Sequence, residues 1–170
     1  MCEQKLFIRQ ARINELDSIL HNENLCYQFP WSKKMLEDCL LNQHLSLELN
    51  IFKHKENESK YVFLVMVFDD KIIGHLIVQK VVDEFHLHNI CILPSQQGKR
   101  LGQKWMDYLM LLATKLEITQ VILEVRESNL TAINLYEKNR FHTIGIRKKY
   151  YQQSSLGEAE NAVILKWSAR

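Results

Sequence analysis

The stretch of residues 84–125, EFHLHNICILPSQQGKRLGQKWMDYLMLLATKLEITQVILEV, determines the fold that we predict for this chain. It begins with an apolar, strand-like run over 84–93 that Pro94 ends. After a polar loop that carries glycines, apolar residues recur at helical spacing from Leu101 to Leu116 and predict a long amphipathic helix. The short apolar run 121–125 predicts a further strand. Strand, loop, helix and strand in this order predict the centre of a mixed α/β sheet.

The segments before this centre predict strands and helices that extend the sheet. A strand is expected at 6–8, a helix over 13–25, and a second helix from an N-cap at Ser32 to about residue 41. Residues 45–60 predict an extended segment followed by a loop. The runs 61–68 and 71–82 are rich in β-branched and aromatic residues and predict a hairpin about Asp69 and Asp70.

The segments after the centre predict one more helix and two closing strands. Ser128 or Asn129 can cap a helix that runs to about residue 138, and strands are expected over 141–146 and 162–167. No stretch resembles a linker, a repeat or a low-complexity tract, so we predict one domain over residues 1–170.

Composition and charge exclude several classes of protein. With 46% hydrophobic and 25% charged residues and a net charge of +2, the chain has no basic block that indicates direct nucleic-acid binding. The apolar run 62–68 is too short to cross a bilayer, and the first residues lack the pattern of a signal peptide, so we expect a cytoplasmic protein without a membrane partner. The irregular spacing of the four cysteines predicts reduced thiols, at Cys2, Cys26, Cys39 and Cys91.

The loop 96–102 can hold a phosphate, because it lies between a strand end and a helix start. Gly98 and Gly102 allow close approach of the backbone, and Lys99 and Arg100 can add charge-assisted contacts. The alternative is a solvated helix entry without a ligand.

The block 123–129, LEVRESN, and the block 132–141, AINLYEKNRF, resemble the GNAT superfamily of N-acetyltransferases, and most closely its RimI-like, ribosomal-protein-alanine branch. The turn Phe29-Pro30-Trp31-Ser32, the strand 89–92 and Arg147 followed by Tyr150 support the resemblance. It implies a central, mostly antiparallel sheet that is splayed at the cofactor site and flanked by helices. It also implies acetyl-CoA as co-substrate, no metal, and the basic N-terminus of a ribosomal protein, the eighteenth of the small subunit, as acceptor.

The resemblance also implies a role for individual residues. Glu124 is expected to act as general base and Tyr136 as general acid. A carboxylate can take the proton of an α-amine, whose pKa is about 8, and a phenol can protonate the departing thiolate. The expected cofactor-binding residues are Ile90, Cys91, Ile92, Gly98, Lys99, Arg100, Leu101, Gly102, Gln103 and Asn129, and the expected acceptor-binding residues are Phe29, Trp31 and Tyr150.

Simpler interpretations of the same residues stay open. Asn129 and Tyr136 are seven residues apart and would share a helical face, yet Tyr136 can also be a core aromatic and Glu124 an ordinary polar strand residue. Trp31 can be a core aromatic or part of the acceptor channel. Cys91 is expected to pack rather than to act as a nucleophile.

One residue of the phosphate loop departs from the family pattern, and one group of histidines only partly fits a metal site. Arg100 stands where the family loop has its first glycine, so a positive φ there would cost about 1 kcal/mol or more, whereas a negative φ would let the side chain point outward or toward a phosphate. His86 and His88 share a strand face and, with His75 expected nearby, resemble a metal cluster, but no carboxylate or cysteine at ligand spacing completes a metal site.

Two other functions compete with N-terminal acetylation. A related enzyme can acetylate another amine, although a lysine amine is harder to deprotonate than an α-amine by about 2.5 pKa units, or about 3.4 kcal/mol. A chain that binds acetyl-CoA without activity is the second alternative.

Overall fold

The computed structural model describes residues 5–43, 60–152 and 159–169. The predicted extended segment over 45–60 therefore lies almost wholly outside the described residues. In chain order the elements are β1 (Leu6–Gln10), α1 (Leu16–Cys26), α2 (Lys33–Leu41), β2 (Lys60–Phe68), β3 (Lys71–Val81), β4 (Glu84–Ile92), α3 (Leu101–Lys115), β5 (Gln120–Arg126), α4 (Leu130–Lys138), β6 (His142–Tyr151) and β7 (Glu160–Ser168). Short 3-10 turns at Ile13–Glu15 and Pro94–Gln96 precede α1 and α3.

The strands form one seven-stranded mixed sheet, in the order β1-β2-β3-β4-β5-β7-β6. β4 and β5 pair in parallel, from Glu84 opposite Gln120 to Leu87 opposite Leu123. Antiparallel pairing joins β1 to β2, β2 to β3, β5 to β7, and β6 to β7. The predicted mixed and mostly antiparallel sheet is thus confirmed.

The chain divides into two compact units. The first comprises residues 1–82 and 88–101, and the second comprises 83–87 and 102–170. A core of apolar side chains from α1, α2, β2, β3 and the residue after β1 stabilises the first unit, and half-buried Trp31 packs against it. The buried residues of this core are Ala11, Leu16, Ile19, Leu36, Cys39, Leu40, Phe63, Val65, Val67 and Ile77.

Local sequence signals explain how the elements of the first unit begin and turn. Ser32 caps α2, because its hydroxyl accepts a hydrogen bond from the backbone N–H of Met35 at 3.3 Å. Asp69 and Asp70 join β2 to β3 with φ angles of 47° and 62°. Two successive positive φ angles are typical of the type I′ turn that suits the twist of a hairpin.

The core of the second unit includes alternate residues of β5 and the apolar face of α3. Val121, Leu123 and Val125 are buried on β5, and Trp105 and Leu109 are among the buried residues of α3. The closing strand is longer than the sequence predicted, since β6 starts at His142 and continues to Tyr151. Phe141 precedes this strand, and its N–H donates to the Tyr136 carbonyl at the end of α4.

Gly74 on β3 lies where the backbone of β4 approaches too closely for a side chain. A Cβ at this position would overlap the carbonyl oxygen of Cys91 and lie 3.3 Å from the Cα of Ile92. Because backbone atoms cannot move aside cheaply, we expect Gly74→Ala to lower the free energy of unfolding by about 1–3 kcal/mol in urea titrations.

Gly145→Ala is the matched control for this variant. A Cβ at Gly145 would lie 3.6 Å from Ile164 Cδ1, which is an ordinary van der Waals distance. We expect this control to change the free energy of unfolding by less than about 1 kcal/mol. Equal stabilities of the two variants would contradict the close approach of β3 and β4.

Candidate functional site

In the first unit, the end of β4 supplies the predicted cofactor strand. Cys91 is buried and its neighbours Ile90 and Ile92 are half-buried, so the predicted burial of Cys91 is confirmed. The Tyr27 hydroxyl donates to the Ile90 carbonyl oxygen at 2.5 Å, and the Gln97 side chain donates to the Ile92 carbonyl at 3.0 Å. These two contacts hold the carbonyl groups of the last residues of β4.

The loop after β4 has two residues in the left-handed region. Gly98 has a φ of 77° and exposed Arg100 has a φ of 59°, immediately before α3 begins at Leu101. Lys99 Nζ donates to Gln96 Oε1 at 2.8 Å within the loop. Arg100 therefore adopts the strained alternative that the sequence left open, a conformation that glycine adopts without steric cost.

The strain at Arg100 predicts a stabilising substitution. We expect Arg100→Gly to raise the free energy of unfolding by about 1 kcal/mol, because it removes the Cβ from a left-handed backbone. Arg100→Ala removes the charge but keeps the Cβ, so it should show no such gain. Urea titrations of both variants test this expectation, and equal stability of the glycine and alanine variants would contradict it.

In the second unit, the first residues of α3 pack tightly against α4. A Cβ on Gly102 would lie 3.1 Å from a methyl group of Leu135, so the absence of a side chain allows this close packing. The Gln103 amide donates to Asn139 Oδ1 at 2.7 Å and accepts from Asn139 Nδ2 at 3.1 Å. Gly102 and Gln103 thus hold the start of α3 on α4.

The predicted general base, Glu124, lies on β5 as part of a charged and aromatic cluster in the second unit. Arg147 Nη1 donates to Glu124 Oε1 at 2.6 Å, and the Arg147 guanidinium lies 4.4 Å from the centre of the Tyr150 ring. The hydrogen bond to Glu124 raises the pKa of Arg147. Partial burial, followed by a hydrogen bond to Glu124, raises the pKa of the Tyr150 phenol. The structure thus brings Glu124 together with Tyr150, which the sequence assigned to the acceptor, and with Arg147.

The predicted general acid, Tyr136, is buried on α4. Its ring lies 5.7 Å from the ring of Phe141, and only 4% of the residue is exposed. Burial, with a smaller contribution from Tyr151, raises the pKa of the Tyr136 phenol well above its usual value. A phenol in this environment keeps its proton at neutral pH.

Asn129 is the N-cap of α4, which decides between the two predicted caps. Its side-chain oxygen accepts from the backbone N–H of Ala132 at 3.1 Å. Because α4 begins at Leu130, Asn129 stands outside the regular helix, and the prediction that it shares a helical face with Tyr136 needs correction. Its amide nitrogen is not used in this capping bond.

The predicted acceptor turn contacts a buried carboxylate, Glu23, that was not predicted from the sequence. Phe29 and Trp31 are half-buried, and the backbone N–H of Trp31 donates to Glu23 Oε1 at 2.9 Å. Glu23 is fully buried and also accepts from Asn89 Nδ2 at 3.1 and 3.2 Å. Helical spacing from Leu16 places Glu23 on the apolar face of α1, and this unusual position was the available signal.

The histidines group differently from the predicted arrangement. His86 contacts Glu84, and His88 contacts Gln79, whereas His75 is fully buried with its Nε2 3.1 Å from Glu23 Oε2. The two atoms are close enough for an ion pair but are not aligned for a hydrogen bond.

The sequence showed no carboxylate or cysteine at ligand spacing to complete a metal site with these histidines, whereas the fold brings both kinds of residue to His75. Potential ligand atoms of Glu23, His75 and Cys91 all lie within 4.8 Å of one another. The three residues belong to α1, β3 and β4, so their spacing in the sequence gave no sign of this proximity. Separately, among the residues that the structure describes, no helix has the length and apolar character needed to cross a membrane.

Known proteins are similar to this chain over most of its length. Residues 16–141 match the family described as the Acetyltransferase (GNAT) family. The chain is 41% identical over 158 residues to the ribosomal protein bS18-alanine N-acetyltransferase of Haemophilus influenzae, a match that covers 93% of this chain and 95% of the relative. It is 29% identical over 158 residues to the Escherichia coli K12 protein of the same name, covering 93% and 94% of the two chains.

The fold of this chain is also similar to that of a solved N-acetyltransferase structure. The crystal structure of the ribosomal-protein-S18-alanine N-acetyltransferase from Escherichia coli superposes with a TM-score of 0.81 at 28% sequence identity. The superposition covers 96% of this chain and 94% of that chain.

Proposed function

The chain belongs to the GNAT family of acetyltransferases and is an N-acetyltransferase, and we propose that it moves the acetyl group of acetyl-CoA to the N-terminal alanine of ribosomal protein bS18. The observation that carries this proposal is the 41% identity, over 93% of the chain, to a relative with that name. The family resemblance predicted from residues 123–141 is thereby confirmed. The identity of the acceptor, the use of acetyl-CoA and the roles of individual residues are proposals.

In the proposed reaction, Glu124 is the general base. The α-amine of the acceptor is largely protonated at neutral pH and must lose a proton before it attacks the thioester. Glu124 Oε1 is held by Arg147, and this contact orients the carboxylate while its second oxygen can accept the proton directly or through water. The amine then forms the new amide bond as the carbon–sulfur bond breaks.

Tyr136 is the general acid of the same reaction. The departing thiolate takes the phenolic proton, which the buried environment of Tyr136 retains at neutral pH. Solvent then restores the proton to the phenol. No covalent enzyme intermediate is required, and the Cys91 side chain takes no part in this reaction.

The remaining residues are proposed to hold the two substrates. The backbone of 90–92 binds the acetyl and pantetheine arm, the loop 98–103 binds the pyrophosphate, and Asn129 contacts the cofactor. Phe29, Trp31 and Tyr150 contact the acceptor. We propose a single domain over residues 1–170 that acts in the cytoplasm on the basic N-terminus of the ribosomal protein, without a metal and without direct contact to nucleic acid or membrane.

A peptide assay tests the acceptor. The protein is incubated with acetyl-CoA and a peptide that begins Ala-Arg-Tyr, either free or blocked at its N-terminus, and products are identified by mass spectrometry. We expect one acetyl group on the free peptide and none on the blocked form. Acetylation of a lysine in the blocked peptide would favour the other-amine alternative, and cofactor binding without turnover of any amine would favour an inactive module.

Calorimetric titration with acetyl-CoA tests the pyrophosphate loop. We expect Arg100→Gly and Arg100→Ala to retain binding with altered dissociation constants, because both remove a guanidinium that can contact phosphate. Lys138→Ala, which removes a cation from the end of α4, is the matched control for charge. Dissociation constants equal to the wild-type value in both Arg100 variants would show that this side chain is incidental to binding.

A further inference from the structure

Two thiols of the first unit lie against each other. Cys26 is the last residue of α1 and Cys91 lies in β4, and their sulfur atoms are 2.8 Å apart. A disulfide bond has a length of about 2.05 Å, so the two sulfurs need to approach by only about 0.8 Å to become bonded. The sequence predicted reduced thiols because the four cysteines are irregularly spaced, and it gave no sign that these two, 65 residues apart, are in contact.

The two thiols differ in exposure. Cys26 is half-buried, whereas only 3% of Cys91 is exposed. A small oxidant can therefore reach Cys26, while Cys91 faces only protein and the sulfur of Cys26. This is the arrangement of an attacking thiol beside a resolving thiol.

The surroundings also favour Cys26 as the reactive thiolate. The hydrogen bond with the Cys91 thiol lowers the pKa of Cys26, and the backbone N–H of Ile92 acts in the same direction, against the effects of partial burial and of the Glu23 carboxylate. The same hydrogen bond, together with burial, raises the pKa of Cys91. Cys26 is thus the thiol of the pair that loses its proton more readily.

We propose that Cys26 and Cys91 are a modification site that forms a reversible intramolecular disulfide with a hydroperoxide as oxidant. The Cys26 thiolate attacks one peroxide oxygen, the oxygen–oxygen bond breaks, and a sulfenic acid and hydroxide form. The Cys91 sulfur then attacks the sulfenic sulfur, its proton is lost, the sulfur–sulfur bond forms, and the oxygen leaves as water. With hydrogen peroxide, two thiols lose two electrons and two protons, and the peroxide is reduced to two molecules of water.

The disulfide would lie at the end of β4, where the backbone of 90–92 is proposed to bind the acetyl arm. Tyr27 follows Cys26 directly, and its hydroxyl donates to the Ile90 carbonyl, one residue before Cys91. Drawing Cys26 toward Cys91 moves both partners of this contact. If the backbone of 90–92 binds the acetyl arm, as proposed above, the oxidised protein transfers acetyl groups several-fold more slowly than the reduced protein.

Mass spectrometry of the full chain tests the covalent step. The reduced protein is treated with hydrogen peroxide, its remaining thiols are blocked with N-ethylmaleimide, and it is digested without reductant. We expect a linked peptide pair that contains Cys26 and Cys91, a fall from four reactive thiols to two in the denatured protein, and restoration by dithiothreitol. A link to Cys2 or Cys39 instead, or no linked peptide, would overturn the proposal.

Cys39→Ser is the matched control. Cys39 is buried, and burial raises its pKa to about 11, so its replacement should leave the linked peptide unchanged. Cys26→Ser and Cys91→Ala should each abolish it. Formation of the Cys26–Cys91 link at an equal rate in Cys39→Ser and in the wild type supports the proposal, and loss of this link in Cys39→Ser contradicts it.

Acetylation assays on the same samples test the consequence separately. Oxidation should slow the wild type several-fold, reversibly, and leave Cys26→Ser unaffected. Equal activity of the fully linked and the reduced protein would overturn the effect on transfer but not the disulfide. Absence of transfer by the reduced protein would refute the proposed function while the mass-spectrometric result stands on its own.

Discussion

Replacement of Glu124 by Gln is expected to lower kcat for acetyl transfer by about 10²–10⁴-fold, the usual contribution of a general base. Glutamine keeps the size of the side chain and an oxygen that can accept from Arg147. It cannot take a proton from an ammonium group. The change therefore removes the proposed chemistry while it leaves the shape of β5 intact.

The exposure of the ion pair between Glu124 and Arg147 bears on the stability of the Glu124→Gln variant. The Arg147 side chain is 52% exposed, so water can solvate its guanidinium when the Glu124 charge is lost. We therefore expect the thermal unfolding of Glu124→Gln to stay close to that of the wild type. The dissociation constant for acetyl-CoA, measured by calorimetry, should also be unchanged, because Glu124 is proposed to act on the acceptor amine.

Glu127→Gln is the matched control for Glu124→Gln. It removes the same charge three residues later, where Glu127 Oε2 accepts from Asn161 Nδ2 at 2.9 Å. We expect this control to keep kcat within about twofold of the wild type, since Glu127 is given no part in proton transfer. Similar losses in the two variants would mean that net charge matters rather than a base at Glu124.

The path of the chain through β4, α3 and β5 could be predicted because each element carries its own periodicity. Apolar residues recur at helical spacing from Leu101, and the short apolar run around Leu123 predicted the strand β5, whose side chains alternate between buried and half-buried in the structure. The hairpin about Asp69 and Asp70 was predictable for the same reason, since its strands and its turn are local.

The polar interior of the first unit could not be predicted because its partners are distant in sequence. Glu23 meets Asn89, 66 residues away, and it also contacts His75. Helical spacing could place Glu23 on the buried face of α1, but only the packing of α1 on the sheet supplies the donors. The proximity of Cys26 and Cys91 arises from the same packing.

Backbone conformation explains the remaining differences at the candidate site. The φ of 59° at Arg100 depends on how the chain leaves β4 and enters α3, and either sign was compatible with the sequence. The family pattern predicted Glu124 as a site residue, but it did not predict that Arg147 binds one of its oxygens. Glu124 lies on β5 and Arg147 on β6, with β7 between them, so their contact depends on strand order and register, which a single sequence does not define.

Replacement of Tyr136 by Phe is expected to lower kcat by about 10²-fold, because the departing thiolate loses its proposed proton donor. The ring and its contact with Phe141 are kept, so the fold of α4 should be unchanged. Because burial raises the pKa of Tyr136 above its usual value of about 10, the wild-type donor stays protonated throughout the neutral range and up to about pH 10. Deprotonation of Tyr136 should therefore cause no loss of activity below that pH.

Single-turnover measurements separate the chemical step from product release in this variant. With enzyme in excess over acetyl-CoA, the rate of peptide acetylation should fall in Tyr136→Phe by the same factor as kcat, if proton donation limits the reaction. Tyr108→Phe is the control, since Tyr108 is a half-buried tyrosine of α3 whose pKa burial also raises, and it has no proposed role. A wild-type single-turnover rate in Tyr136→Phe would exclude the phenol as the acid, and the thiolate would then leave without protonation by this side chain.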